Sequence, residues 1–338
     1  MFNEQKLDEM LTTPSARLIE DVKKIKGDVI ILGAGGKMGP SLAILAKRAF
    51  ESAGMNNRVI AVSRFSDPIA VKLLESNNIE IIPCDLMKKG ALDTLPDCEN
   101  VIFMAGRKFG TGTDSAKTWA MNAWLPSLTA ERYKNSNIVV FSSGNIYPIV
   151  KLSGGGATEN TPVGPIGEYT QSVLAREKVF EYASVEYGTR VLIYRLNYAV
   201  DLRYGVLFDI ASKVYAGEPV SLSATCFNCI WQGDANEAAI RSLLYASSPI
   251  SYLNITGPET LSVRATALEF GKLFDKEVTF TGEESDSAYI SNASLATKLF
   301  GYPTYSAKQL IEWQAEWIKS GNRTLNKPTH FEERKGQY

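Results

Sequence analysis

The chain has 338 residues, 45% hydrophobic and 22% charged, with a formal net charge of −1. Those proportions suit a globular chain large enough for one big α/β unit or two domains around a cleft. The lack of a basic excess argues against a nucleic-acid or anionic-membrane partner. The single histidine, His330 in a polar tail, excludes Ser-His-Asp hydrolysis, histidine-rich zinc sites and histidine acid–base catalysis. Four cysteines are too few for a disulfide framework. The N-terminus is acidic and polar, and no apolar run nears the roughly 18 residues of a bilayer span. A cytoplasmic setting is expected.

The first expected element is an N-terminal helical extension, residues 1–26, helical over 5–26, with Thr13 capping its second part and Pro14 at the first helical position. Val29–Leu32 is a short apolar run, as in a buried parallel strand. A glycine-rich turn and a helix carrying Leu42, Leu45, Ala46 and Ala49 follow it. Further strands are expected at Val59–Ser63, Glu80–Cys84, Val101–Met104, Ile138–Ser142 and Arg190–Leu196, with helices near 68–76, 114–132 and 168–187. This alternation predicts an α/β fold: a doubly wound parallel-sheet Rossmann domain over 27–196. Residues 151–167, rich in glycine and proline, read as a loop with mobile potential.

After Leu196 the segments shorten. Strands are expected at Pro219–Leu222, Ile230–Gln232, Tyr252–Ile255 and Val278–Phe280, with helices near 205–216, 234–246, 262–274, 292–300 and 306–319. They predict a smaller mixed α/β C-terminal lobe for substrate, residues 197–320, and then a fraying polar tail, 321–338.

Gly33-Ala34-Gly35-Gly36-Lys37-Met38-Gly39 lies between the first strand and its helix. Glycines at that spacing permit a tight turn, close approach of backbone to a pyrophosphate and close helix–strand packing. The helix N-terminus offers N–H groups to the phosphates, so this segment is expected to hold an NAD-type dinucleotide. The second strand ends at Ser63-Arg64 rather than at the carboxylate that accepts from a ribose 2′-hydroxyl. Arg64 can pair with a 2′-phosphate, so the cofactor is NADP or NAD, with NADP favoured. Asp85-Leu86 and Ala105-Gly106 fall just after successive strands, where such sheets bind ligands. Cys226 and Cys229 form a lone C-x-x-C, short of a four-ligand zinc site; no metal is expected.

Three further segments carry a resemblance: Phe141-Ser142-Ser143-Gly144-Asn145-Ile146-Tyr147, Glu168-Tyr169 at the head of a long helix, and Asn254-Ile255-Thr256-Gly257. With the glycine motif, they make residues 27–315 resemble an extended short-chain dehydrogenase/reductase of the NAD-dependent epimerase/dehydratase family. The resemblance implies a catalytic Ser143, a catalytic Tyr169 that also contacts the cofactor, and a site-positioning Asn122. It implies hydride transfer at a hydroxyl or carbonyl of a sugar-like substrate: epimerisation, dehydration or oxidation–reduction. It also implies a homodimer packed through the helices that carry Asn122 and Tyr169.

The family pattern is Tyr-x-x-x-Lys, and here the fourth residue after Tyr169 is Val173. The lysine normally lowers the tyrosine pKa through its charge. Arg176, seven residues after Tyr169, lies on roughly the same helix face: it either offers a cation one turn further along or is an ordinary surface or structural ion pair, and Lys151 is another candidate cation. The alternative is a catalytically impaired NAD(P)-binding sensor or scaffold. Loops 107–113 and 151–167 are placed to close over a substrate, and Arg107, Lys108, Arg195 and Arg203 are candidates to read a phosphate or carboxylate.

Overall fold

Short Val/Ile/Leu runs make the strands, and glycine or polar turns end them. The protein is seen in a computed structural model that describes residues 3–108, 110, 114–325 and 327–336. Seven strands form one parallel sheet: β1 (Val29–Leu32), β2 (Val59–Ser63), β3 (Glu80–Pro83), β4 (Asn100–Phe103), β5 (Asn137–Ser143), β6 (Arg190–Leu196) and β7 (Ser251–Ile255). Their order is β7-β6-β5-β4-β1-β2-β3. The order reverses between β1 and β4, where the loops after the two strands part and leave a crevice.

Helices cover both faces of the sheet. α1 (Glu4–Thr12) and α2 (Ala16–Val22) precede β1, and α3 (Gly39–Ser52) follows it. The cap of α2 is Ser15, whose Oγ accepts from the Leu18 amide at 3.1 Å. Thr13, the expected cap, instead donates to the Glu9 carbonyl of α1, and Pro14 stands in the link between the helices. α4 (Pro68–Ser76) lies between β2 and β3. The expected 114–132 helix is broken into α5 (Ser115–Trp119), a π-helical turn (Ala120–Trp124) and α6 (Leu125–Arg132). α7 (Gly167–Tyr187) runs between β5 and β6.

The second lobe gathers α8 (Val206–Ala216), α10 (Val263–Phe274) and α12 (Ala307–Lys319), while α9 (Gln232–Ser242) and α11 (Ser294–Phe300) pack on the sheet side. Leu7 and Leu11 of α1 join Ile210, Phe270 and Trp317 in the second lobe's core. No helix among the described residues is long and apolar enough to cross a membrane.

Three further expectations differ from the structure. The strand at 252–255 is β7, the edge of the main sheet beside β6, not part of the second lobe. Leu253 and Ile255 are apolar enough to complete the sheet's core, so the chain returns to the sheet after residue 197. Residues 151–167 are pinned: Ala157 pairs with Ile290 and Asn292, and Glu159 accepts from the Asn254 amide at 2.9 Å. The tail does not fray over its described residues. Phe331 is buried against Phe227, Lys213 pairs with Glu332 at 2.6 Å, and Arg334 donates to the Ser223 and Ser287 carbonyls. One buried aromatic ring and several ion contacts offset the ordering entropy of a polar segment.

Candidate active site

Gly33 has φ +96°, a conformation open to glycine, and a Cβ there would lie 2.5 Å from the Ala105 amide nitrogen. A Cβ on Gly35 would lie 2.6 Å from Ser63 Oγ, and one on Gly39 would strike the Ala34 carbonyl at 2.2 Å. The first two positions bring bare backbone to the crevice. Gly39 lets α3 pack against the turn. No side chain caps the start of α3, so its first N–H groups are left for an anion. A dinucleotide pyrophosphate fits this cradle.

Two cavities meet there, sharing Gly33, Gly36, Met104, Gly106 and Arg107. The first runs over the ends of β2 and β3 and is lined by Gly35, Ser63, Arg64, Asp85, Leu86 and Ala105. Arg64 is exposed and has no ion-pair partner among the described residues. Asp85 accepts from the Met87 amide at 3.1 Å, which fixes the turn around the cavity.

The second cavity, about 330 Å³, opens toward the second lobe and is lined by Lys37, Met38, Ser143, Tyr169 and Arg176, among others. Every expected site residue except Gly39 and Asn122 therefore lines one of the two cavities. Ser143 and Tyr169 line the same cavity, and Ser143 Oγ accepts from the Asn145 amide at 3.2 Å. Burial pushes the Tyr169 hydroxyl above its ordinary pKa, while the Arg176 charge and the neighbouring Ser143 hydroxyl pull it down.

Asn122 does not reach the cavity. It is fully buried in the π turn, a distortion that recurs at functional sites. Its amide donates to the Arg107 carbonyl at 2.8 Å and Ser172 Oγ at 2.9 Å, and its carbonyl accepts from the Arg107 amide at 2.9 Å. Arg176 is buried as well. Its Nη1 donates to the Phe141 carbonyl at 2.7 Å and its Nη2 to Asn122 Oδ1 at 2.8 Å. Burial lowers its pKa to about 10, still leaving it a cation at neutral pH. A Cβ on Gly106 would lie 2.5 Å from Nη2, so glycine there makes room for the guanidinium. Val173 packs with Ile146, Tyr147 and Ala157 in a small apolar cluster.

The four basic candidates separate. Arg195 is buried against Glu177, Nη2 to Oε2 at 2.8 Å, and its Nη1 donates to the Tyr147 hydroxyl at 2.7 Å. Arg203 pairs with Asp201 at 2.7 Å and Asp8 at 2.9 Å. Both serve the interior because their charges are compensated there. Arg107 and Lys108 line the cavity. Phe109 and Thr111–Thr113 of the 107–113 loop lie outside the described residues. None of residues 151–167, all described, lines this second cavity. Tyr204 and Thr329 do, and nothing in their local sequence marks them. The four cysteines are free, and among the described residues no group of three or more His, Cys, Asp or Glu side chains is placed to hold a metal.

Similar architecture is found in solved structures of low identity. The UDP-glucuronic acid 4-epimerase of Bacillus cereus in complex with NAD is 17% identical, with a TM-score of 0.70 over 87% of this chain and 99% of that one. The dTDP-glucose 4,6-dehydratase of Bacillus anthracis in complex with NAD is 15% identical, with a TM-score of 0.73 over 87% and 97%. The UDP-glucose 4-epimerase of Thermotoga maritima is 17% identical, with a TM-score of 0.69 over 87% and 99%. No curated protein sequence matches the chain. The family model described as NAD dependent epimerase/dehydratase matches residues 29–246, well over half of the chain. With its seven-stranded sheet and glycine cradle, the chain belongs to the NAD-dependent epimerase/dehydratase family.

Proposed function

We propose that the protein is an NAD(P)-dependent enzyme that moves a hydride to or from the carbon bearing a hydroxyl or carbonyl of a sugar-like substrate. The observation that carries this reading is Arg176. It brings a buried cation to Tyr169 from one helical turn beyond the position that Val173 leaves apolar. The backbone of Gly33–Gly39 and the start of α3 would hold the pyrophosphate, and Arg64 would meet a 2′-phosphate. The bound nicotinamide supplies the hydride acceptor or donor.

The residues of this chain supply the proton. Tyr169 gives its hydroxyl proton to a carbonyl oxygen or, as the phenolate, removes one from a hydroxyl. Ser143 donates a hydrogen bond that polarises the same oxygen. The Arg176 charge favours the phenolate. Asn122 is a positioning residue: it fixes Arg176 and the chain at Arg107. Sugar-nucleotide epimerases and dehydratases of the same fold support a sugar-like substrate. A homodimer through α5–α7 is supported by exposed apolar side chains there, Trp124, Tyr182 and Val185 at 49%, 60% and 75%.

The test is nicotinamide absorbance with purified protein, NADP⁺ or NAD⁺ and a sugar panel. Turnover that Tyr169→Phe abolishes supports the enzyme. Cofactor binding without turnover, indifferent to Tyr169→Phe, supports the sensor reading that Val173 invites.

A further inference from the structure

The catalytic cavity is strongly basic on the side facing the second lobe. Lys37, Arg107, Lys108 and Arg176 line it, and no Asp or Glu does among the described residues. Lys37 extends across the cleft with its Nζ 3.1 Å from the centre of the Tyr204 ring. Lys108 Nζ lies 5.9 Å from the centre of the Tyr169 ring and donates to the Thr329 carbonyl at 3.2 Å. Burial lowers both amines, Lys37 to about 7 with a contribution from Lys108, and Lys108 to about 8, while Asp209 pulls each partly back up. An incoming anion would favour the charged form of both.

The tail contributes one residue to the wall of the same cavity. Thr329 is buried and lines it, with its amide donating to Asp209 at 2.8 Å. Further along, Gly336 lies directly against Ile166 and Gly167 at the head of the Tyr169 helix: a Cβ on Gly167 would strike the Gly336 carbonyl at 2.3 Å. The segment 327–336 thus runs from the second lobe to the catalytic helix. The cavity is open on one side; its volume is near the small end of ligand sites, roughly 300–1,000 Å³, and it must also admit a nicotinamide.

We propose that this cavity takes a monosaccharide bearing one anionic group, a carboxylate or a phosphate, which Lys108 and Lys37 bind, and that residues 327–336 close it to a nucleotide-linked sugar. This rests on the proposed function only in treating the cavity as the substrate site.

The test is calorimetric titration of the full chain loaded with NAD(P)⁺, using monosaccharide acids, monosaccharide phosphates, their neutral parents and UDP-glucose. An acid or a phosphate is expected to bind at least about tenfold more tightly than its neutral parent, and which one binds identifies the group. Lys108→Met should erase that preference, Lys108→Arg should retain most of it, and both should keep cofactor affinity. Binding of UDP-glucose to the intact chain overturns the inference. So does an absent anion preference, or one that survives in both Lys108→Met and Lys37→Met. Failure to bind any nicotinamide cofactor would instead overturn the proposed function.

Discussion

Arg176 Nη2 donates to Asn122 Oδ1 at 2.8 Å, joining the catalytic helix to the π turn before α6. The other strong bond of the guanidinium is to a backbone carbonyl, so neutral acceptors hold the cation beside Tyr169. Its charge stays available to the tyrosine oxygen. Arg176→Met should lower kcat by about 10²-fold while changing cofactor affinity only a few-fold. Arg176→Lys should fall between, because lysine keeps the charge and loses the fork of donors. Steady-state kinetics and direct cofactor titration check both.

The pH dependence follows from Tyr169. Its hydroxyl lies above the ordinary tyrosine value because burial outweighs Arg176 and Ser143. The base form is therefore the minor one at neutral pH and grows as pH rises. In the oxidative direction, log kcat/KM should climb with unit slope from neutral into alkaline pH. Arg176→Met should move that limb higher still. A flat profile from pH 7 to 9 in the oxidative direction would remove Tyr169 as the base.

Val173 is 1% exposed among Ile146, Tyr147 and Ala157. Val173→Lys, which restores the family pattern, therefore buries an ammonium in an apolar cluster close to the existing Arg176 cation. The expected result is a loss of about 3 kcal/mol in stability with no gain in turnover. Chemical denaturation and kinetics measure the two parts. A gain of activity would show that Arg176 does not replace the lysine.

Arg64 is exposed and lines the cavity over the ends of β2 and β3, beside Ser63. Arg64→Ala should weaken NADP⁺ about tenfold and leave NAD⁺ nearly unchanged, since only the former carries the 2′-phosphate. Equal losses for both cofactors would remove Arg64 as the discriminating residue.

The sequence by itself determined six of the seven sheet strands and the glycine turn, because each is local, while the edge strand at 251–255 was placed only by the tertiary structure. β1, β2 and β6 follow apolar runs whose ends are visible in the residues, and the glycines mark where backbone must come close. The Ser143–Tyr169 pair was legible only through the family resemblance, which the motifs around residues 141–147 and 168–169 carry. Only the tertiary structure decided which cation lies beside Tyr169. Helical spacing brought Arg176 near, but its burial depends on the bare backbone of Gly106 and on Asn122 in a π turn. The tertiary structure also decided that Arg195 and Arg203 are spent on Glu177, Asp201 and Asp8, and that a polar tail walls the cavity at Thr329. Apart from Arg203–Asp201, those contacts join residues well separated in the chain, and the energy of all of them depends on burial and on the arrangement of partners. A linear pattern of residue types does not encode either.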